Sequence, residues 1–226
     1  MSERHSSATV EEICERIWLA IAERRLRPGT RLKEEQLAEI FDVSRARIRQ
    51  VLVALERDGL IELVPHRGAT VAEPTIDEAQ DVFFARRAIE ARLVQRLCTR
   101  IDGEGVARLR SHVSDERAAH GRGDRSAIVQ LSGAFHLLLA ELSGASYLQQ
   151  MLRDLIARTS LITAFYQPHT VASCGPDEHA AIVEAIAAGD AAHAAALMAS
   201  HLDHIERDLD LQGANDPPRD LRDALL

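Results

Sequence analysis

The sequence predicts a mainly α chain in two parts: three helices and a small β-hairpin over residues 1–75, then an all-α helical bundle over 76–211. Three observations predict it. Apolar residues recur every three to four positions through most of the chain, the mark of one-faced helices. Short runs of β character flank a Pro-His-Arg-Gly turn at 65–68, and residues 76–210 hold no convincing alternation. Between the two parts, Ala72-Glu73-Pro74-Thr75 has the composition of a linker.

Ile13, Ile17, Leu19, Ala20 and Ile21 define a first helix over about 9–25, stopped by Pro28-Gly29. A second covers about 33–41, with Leu37, Ile40 and Phe41 inward. A third covers about 45–58, with Ile48, Val51, Leu52 and Leu55 on one face. Between them Asp42-Val43-Ser44 makes a tight turn, since Asp tolerates left-handed backbone and Ser is a strong N-cap. After Asp58-Gly59, LIELV and ATVAE form a hairpin with a basic tip. Thr75 and Glu78 have capping-box spacing, which starts the second domain. About six helices follow, punctuated at Gly103, Gly121-Arg122-Gly123, Ser143-Gly144, Pro168, Gly175-Pro176 and Gly189. The segment 212–226, with Asp216-Pro217-Pro218 and little apolar content before its end, is expected to be a loose tail.

Composition narrows the function. No run of about 18 apolar residues spans a bilayer, and the first residues lack a secretory signal, so a cytoplasmic chain without membrane association is expected. Three widely spaced cysteines, Cys14, Cys98 and Cys174, give neither a disulfide framework nor a cysteine-built zinc site. The net charge of −8 is unevenly divided: residues 1–75 hold 12 Lys/Arg against 13 Asp/Glu, whereas 76–226 hold 15 against 22. The first part therefore stays near neutral. Its arginines crowd 24–49, and local fields govern phosphate contact more than net charge does.

Helix, helix, turn, helix and hairpin is the order of a winged helix-turn-helix, which lays its third helix in the major groove of double-stranded DNA. The start of that helix offers Arg45, Arg47, Arg49 and Gln50 outward, and Arg67 stands at the wing tip. Arg suits both phosphate and the paired acceptors of guanine. The blander reading makes Arg45 and Arg49 solvated residues paired with nearby acids at helical spacing. Turn and wing together favour DNA.

These segments, LRPGTRL at 26–32 and EEQLAEIFDVSRARIRQVLVALERDGLIELVPHRGATV at 34–71, resemble the GntR transcription regulators, within them the FadR subfamily. The resemblance continues through ARRAIEARL at 85–93, AFHLLLAELSGASYL at 134–148 and DEHAAIVEAIAAGDAAHAAALMASHLDHI at 177–205. It implies that Ser44, Arg45 and Arg49 contact an operator and that Gly68 shapes the wing tip. It also departs from the family. Asp42, Ala46-Arg47 and Gln50-Val51 replace residues common there, so Arg47 and Gln50 are expected to read bases in their own way. Glu35 stands where the FadR protein places a DNA-contacting Arg.

In the second domain the resemblance implies a divalent-metal site, for zinc or nickel, at His136, His179 and His201. Ser132, four residues before His136, replaces the usual acidic or amide ligand. Three outcomes stay open: metal held by three His and solvent, weak binding, or a metal-free pocket lined by satisfied histidines. Arg86 matches an arginine that often faces the family's pocket, where its fork would grip an organic-acid effector; an Arg86–Glu90 pair at i,i+4 is the equal alternative. Tyr166, with Gln167 and Cys174, is a further candidate for the effector cavity.

The favoured function is a ligand-responsive repressor that binds a palindromic operator as a homodimer. An enzyme reading, with zinc-activated water at the three histidines, lacks an H-E-x-x-H arrangement. An architectural DNA binder without ligand would leave the second domain to dimerisation alone.

Overall fold

The computed structural model describes residues 8–64, 68–168, 175–210 and 221–225. Two units result. The first gathers the described residues of Met1–Pro74, Ser160–Phe165 and Ala214–Leu226, the second those of Thr75–Thr159 and Tyr166–Gly213.

The first unit begins with α1 (Val10–Ala22), opened by a full capping box between Thr9 and Glu12. Ile13, Ile17, Ala20 and Ile21 form its buried stripe. Next come β1 (Arg31–Leu32), α2 (Glu34–Phe41) and α3 (Arg45–Arg57). Asp42 takes the expected left-handed conformation (φ 51°). Ser44 caps α3 by accepting from the Arg47 N–H at 3.3 Å, and Ile48, Val51, Leu52 and Leu55 are its buried face.

The wing is larger than a hairpin. β2 (Ile61–Val64) and β3 (Gly68–Val71) form the expected hairpin, with Ile61 opposite Val71 and Val64 opposite Gly68. β1 pairs with the other edge of β3, Arg31 opposite Thr70. Two residues are too short to show alternation, which hid this strand in the sequence. Gly68 has φ 83°, a conformation that costs glycine little and other residues much. Arg67 lies outside the described residues.

The segment expected to be loose, 212–226, carries a short helix, α10 (Leu221–Leu225), against α1 and α2. Ala224 and Leu225 are buried there. Arg16 donates to the Leu225 carbonyl at 3.1 Å while its guanidinium lies 4.8 Å from the centre of the Phe41 ring, and Arg25 donates to the Ala224 carbonyl. Two apolar residues find a seam that the segment's polar composition does not announce. Leu225→Asp is expected to lower the stability of this unit by about 1–3 kcal/mol, the order of one buried Leu. An unchanged melting curve would show that α10 adds nothing.

The second unit holds α4 (Ile76–Cys98), α5 (Gly103–Arg122), α6 (Arg125–Leu142), most of α7 (Ser146–Tyr166, whose residues 160–165 group with the first unit), α8 (Pro176–Ala187) and α9 (Ala191–Arg207). Side-chain caps start four of them, from Thr75, Asp102, Asp124 and Asp190, and Pro176 opens α8. Half of the expected box at Thr75 forms; the Glu78 carboxylate turns instead to Arg158. One core layer joins Val94, Leu97, Val113, Phe135, Ile182 and Met198, and a smaller one joins Leu93, Ala140, Leu152 and Ile156. Among the described residues no helix is long and apolar enough to cross a membrane.

Candidate functional site

In the first unit, helical geometry sorts the residues of α3. Ile48, Val51, Leu52 and Leu55 face inward, which leaves Ser44, Arg45, Arg49 and Gln50 exposed on the opposite side. Arg47 differs from expectation. One turn before the buried Val51, it lies at the edge of the inward face, half-buried, and its guanidinium donates to the Ala8 carbonyl at 2.9 Å. The acids that pair with the exposed arginines come from α2 rather than from α3 itself. Arg45 pairs with Glu35, and Arg49 donates to both oxygens of Glu34 at 3.0 and 3.2 Å. Glu35, at the position where the family arginine is missing, thus serves as counter-charge for a neighbouring one.

In the second unit, α6, α8 and α9 bring His136, His179 and His201 together, each nearly inaccessible to solvent. The His179 and His201 Nε2 atoms are 3.3 Å apart, those of His201 and His136 3.4 Å, and all three ligand atoms lie within 4.8 Å of one another. His179 is stacked on Phe135, with ring centres 3.9 Å apart.

Each ring is held from behind by a carboxylate. Glu90 of α4 meets His136 Nδ1 at 2.5 Å, Glu116 of α5 meets His179 Nδ1 at 2.9 Å, and Glu178 of α8 meets His201 Nδ1 at 2.8 Å. All three acids are held ionised. Burial alone would raise Glu90, but the Arg86 charge and the His136 contact bring it well below the usual carboxylate range. Burial likewise opposes, without overcoming, the hydrogen bonds from His112 and His179 that lower Glu116. Hydrogen bonds from His201 and then His204 hold Glu178 at about 2. Burial pushes His136 and His201 down, keeping both rings neutral.

An ionised carboxylate only accepts, so each Nδ1 must carry the proton. In neutral His136 and His201 that leaves Nε2 as a bare lone pair, and the two face each other at 3.4 Å with no proton between them. Such an arrangement is repulsive until a cation enters. Two nitrogens on a tetrahedral ion with bonds of about 2.0–2.1 Å are themselves about 3.3–3.4 Å apart. The residues therefore fit a divalent metal.

Arg86 reaches this cluster through Glu90, to which it donates at 2.7 Å, and it also donates to Thr159 at 3.3 Å. The i,i+4 pair is real but deeply buried. Its Nη2 has no hydrogen-bond partner among the described residues, a costly state for a buried donor unless a ligand completes it. Ser132 sits half-buried one turn before His136 and is not one of the three convergent ligands. Tyr166 stands at the end of α7, where its carbonyl accepts from the Asp210 N–H and burial and the Glu78 charge raise its phenol above the ordinary value. Cys174 is outside the described residues. His204 stays outside the cluster, half-exposed, bonded to the second oxygen of Glu178 at 2.7 Å.

Comparison with known proteins agrees with both units. Residues 9–71 match the bacterial regulatory proteins of the gntR family, and residues 81–204 match the FCD domain. The chain is 30% identical over 127 residues to the uncharacterized HTH-type transcriptional regulator YdhC of Bacillus subtilis, covering 56% of this chain and 57% of that one. It is 29% identical over 116 residues to the HTH-type transcriptional repressor RspR of Escherichia coli, covering 51% of each. It thus spans little more than half the length of these two relatives. With the HTH-type transcriptional regulator LutR of Bacillus subtilis it shares 29% identity over 202 residues, 80% of this chain and 92% of that one. Among solved structures, Escherichia coli McbR/YncC has the same fold, with a TM-score of 0.75 at 18% identity over 87% of this chain and 94% of that one. The chain belongs to the GntR family of transcription regulators, with a C-terminal FCD domain, and is not an enzyme.

Proposed function

We propose that this regulator is a homodimeric repressor that binds a palindromic operator in the cytoplasm and is released or retuned by a small organic acid bound at the three-histidine cluster. The observation that carries the effector half is the convergence of three Nε2 atoms beside a buried arginine with an unused donor. A divalent ion, zinc or nickel, would supply a positive anchor for a carboxylate. Arg86 would turn Nη2 to a second carboxylate oxygen, while Ser132 and Tyr166 are the further candidates for the effector's polar groups. Phe135 stacks on His179, and the three rings are nearly inaccessible to solvent.

The DNA half rests on the exposed row Ser44, Arg45, Arg49 and Gln50 at the head of α3, with Gly68 beginning the wing strand. Arg47 and Arg67 are retained as candidate contacts, Arg47 through a change of rotamer. A repressor is the role printed in the name of the relative RspR. Self-association is supported by large apolar side chains left exposed on the second unit: Phe84 on α4 (71%), with Tyr147 (79%) and Met151 (44%) one turn apart on α7. Two-fold symmetry of the protein implies two-fold symmetry of the site it reads.

The test uses the full chain. Sedimentation at micromolar concentration is expected to show a dimer, and a panel of small mono- and dicarboxylates is expected to raise the melting temperature of the zinc-loaded protein. In Arg86→Lys, which keeps the charge beside Glu90 but loses the planar fork, that response is expected to vanish. A monomer, or a melting temperature indifferent to every carboxylate, would sink the reading.

A further inference from the structure

We propose that Glu116 and Glu178 are positioning residues of the three-histidine site, which fix the protons of His179 and His201 on Nδ1 and supply the negative charge that Ser132 does not. This rests on the metal reading of the cluster given above. The three carboxylates behind the rings are not equivalent. The charge of Glu90 is matched by Arg86 at 2.7 Å, so the Glu90–Arg86–His136 group adds no net charge. Glu116 and Glu178 face only imidazoles in the described ion pairs: His179 and His112 for the first, His201 and His204 for the second. Behind the cluster, Glu116 and Glu178 thus stand without a guanidinium partner in the described ion pairs, and each carboxylate faces the ion position through an imidazole.

A ligating imidazole whose far N–H is bonded to a carboxylate is more basic and fixed in orientation. Here that device is repeated around the cluster from separate helices. Glu116 is itself buried and lies within 2.9 Å of His179 Nδ1 through either oxygen. Were its task only to satisfy a buried N–H, a glutamine would serve equally, since an amide oxygen also accepts. The negative charge is what only the carboxylate provides. Both acids thus take over the electrostatic part of a missing fourth ligand, and leave its place at the ion to a molecule from outside the chain.

The experiment compares wild type, Glu116→Gln, Glu178→Gln and Ser132→Asp/Glu116→Gln as full chains, with zinc affinity read by chelator competition and cobalt binding by its visible absorption. Each Gln variant is expected to bind zinc about 10–100-fold more weakly than wild type, the usual loss on removing an outer-shell carboxylate. Melting of the metal-free proteins should be unchanged, and the cobalt bands should shift in position. Ser132→Asp is expected to raise affinity in the Glu116→Gln background too, by returning a charge at the ion itself, while the cobalt bands keep the shift caused by losing the Glu116 carboxylate behind His179. Wild-type affinity and an unshifted cobalt spectrum in both Gln variants would overturn the positioning role and leave the metal site standing. A wild-type chain that binds neither ion would overturn both.

Discussion

Arg45→Ala and Arg49→Ala are each expected to weaken operator binding by about 1–3 kcal/mol where a base contact is lost, roughly five- to 150-fold in Kd. Both side chains project from the exposed face at the head of α3, and neither packs into the core. In the free protein they are paired with Glu35 and Glu34, but the arginine side chains are 50% and 65% exposed, so these pairs are screened and worth at most about 1 kcal/mol. Phosphates can displace them. Glu35→Gln is therefore expected to act in the opposite direction and tighten binding a few-fold, by releasing Arg45 and removing a charge that repels the duplex. Helical content and dimerisation should not change in any of these variants. If a phosphate contact is the one lost, the slope of log affinity against log salt falls by about one. Gel-shift titrations giving wild-type affinity for both Arg variants would show that α3 is not the reading helix.

His136→Ala, His179→Ala and His201→Ala are each expected to abolish zinc and nickel binding, whereas Ser132→Asp should strengthen it. The three rings share one point, and removing any of them leaves two ligands and a gap in a buried cluster. Position 132 lies one turn before His136 on the same helix face, so an aspartate there points where His136 points. It would bring both a fourth ligand and a negative charge, and that charge should weaken a carboxylate effector competing for the same ion. A metal that binds only the folded state stabilises it by about 2.7 kcal/mol at a hundredfold excess over Kd. Melting temperatures with and without zinc, together with metal analysis, therefore separate the five proteins. Equal metal content in all of them would mean that the pocket recognises its ligand by hydrogen bonds alone.

Much of this molecule is legible from local pattern. The helices from α1 to α9, the Asp42 turn, the Ser44 cap and the hairpin of the wing all follow from periodicity and capping, which act over a few residues. His136, His179 and His201 were identifiable only through resemblance, because 43 and 22 residues separate them along the chain and no spacing rule spans such distances. Arg86 and Glu90 were visible as an i,i+4 pair, but nothing local indicated that the pair would be buried or would hold His136.

What the sequence by itself determined is the main helices, the hairpin of the wing and the outward placement of Arg45, Arg49 and Gln50 on α3, since each is decided by side chains within one or two turns of one another. The tertiary structure alone decided which charges meet. Glu116 finds His179 across 63 residues and Glu178 finds His201 across 23, although Glu178 adjoins His179 in sequence. The same holds for Arg47 turning back to Ala8, and for Leu225 closing a seam 209 residues from Arg16. In each case a buried polar or apolar group takes the partner that packing brings within reach, and packing is a property of the whole fold rather than of any window of sequence.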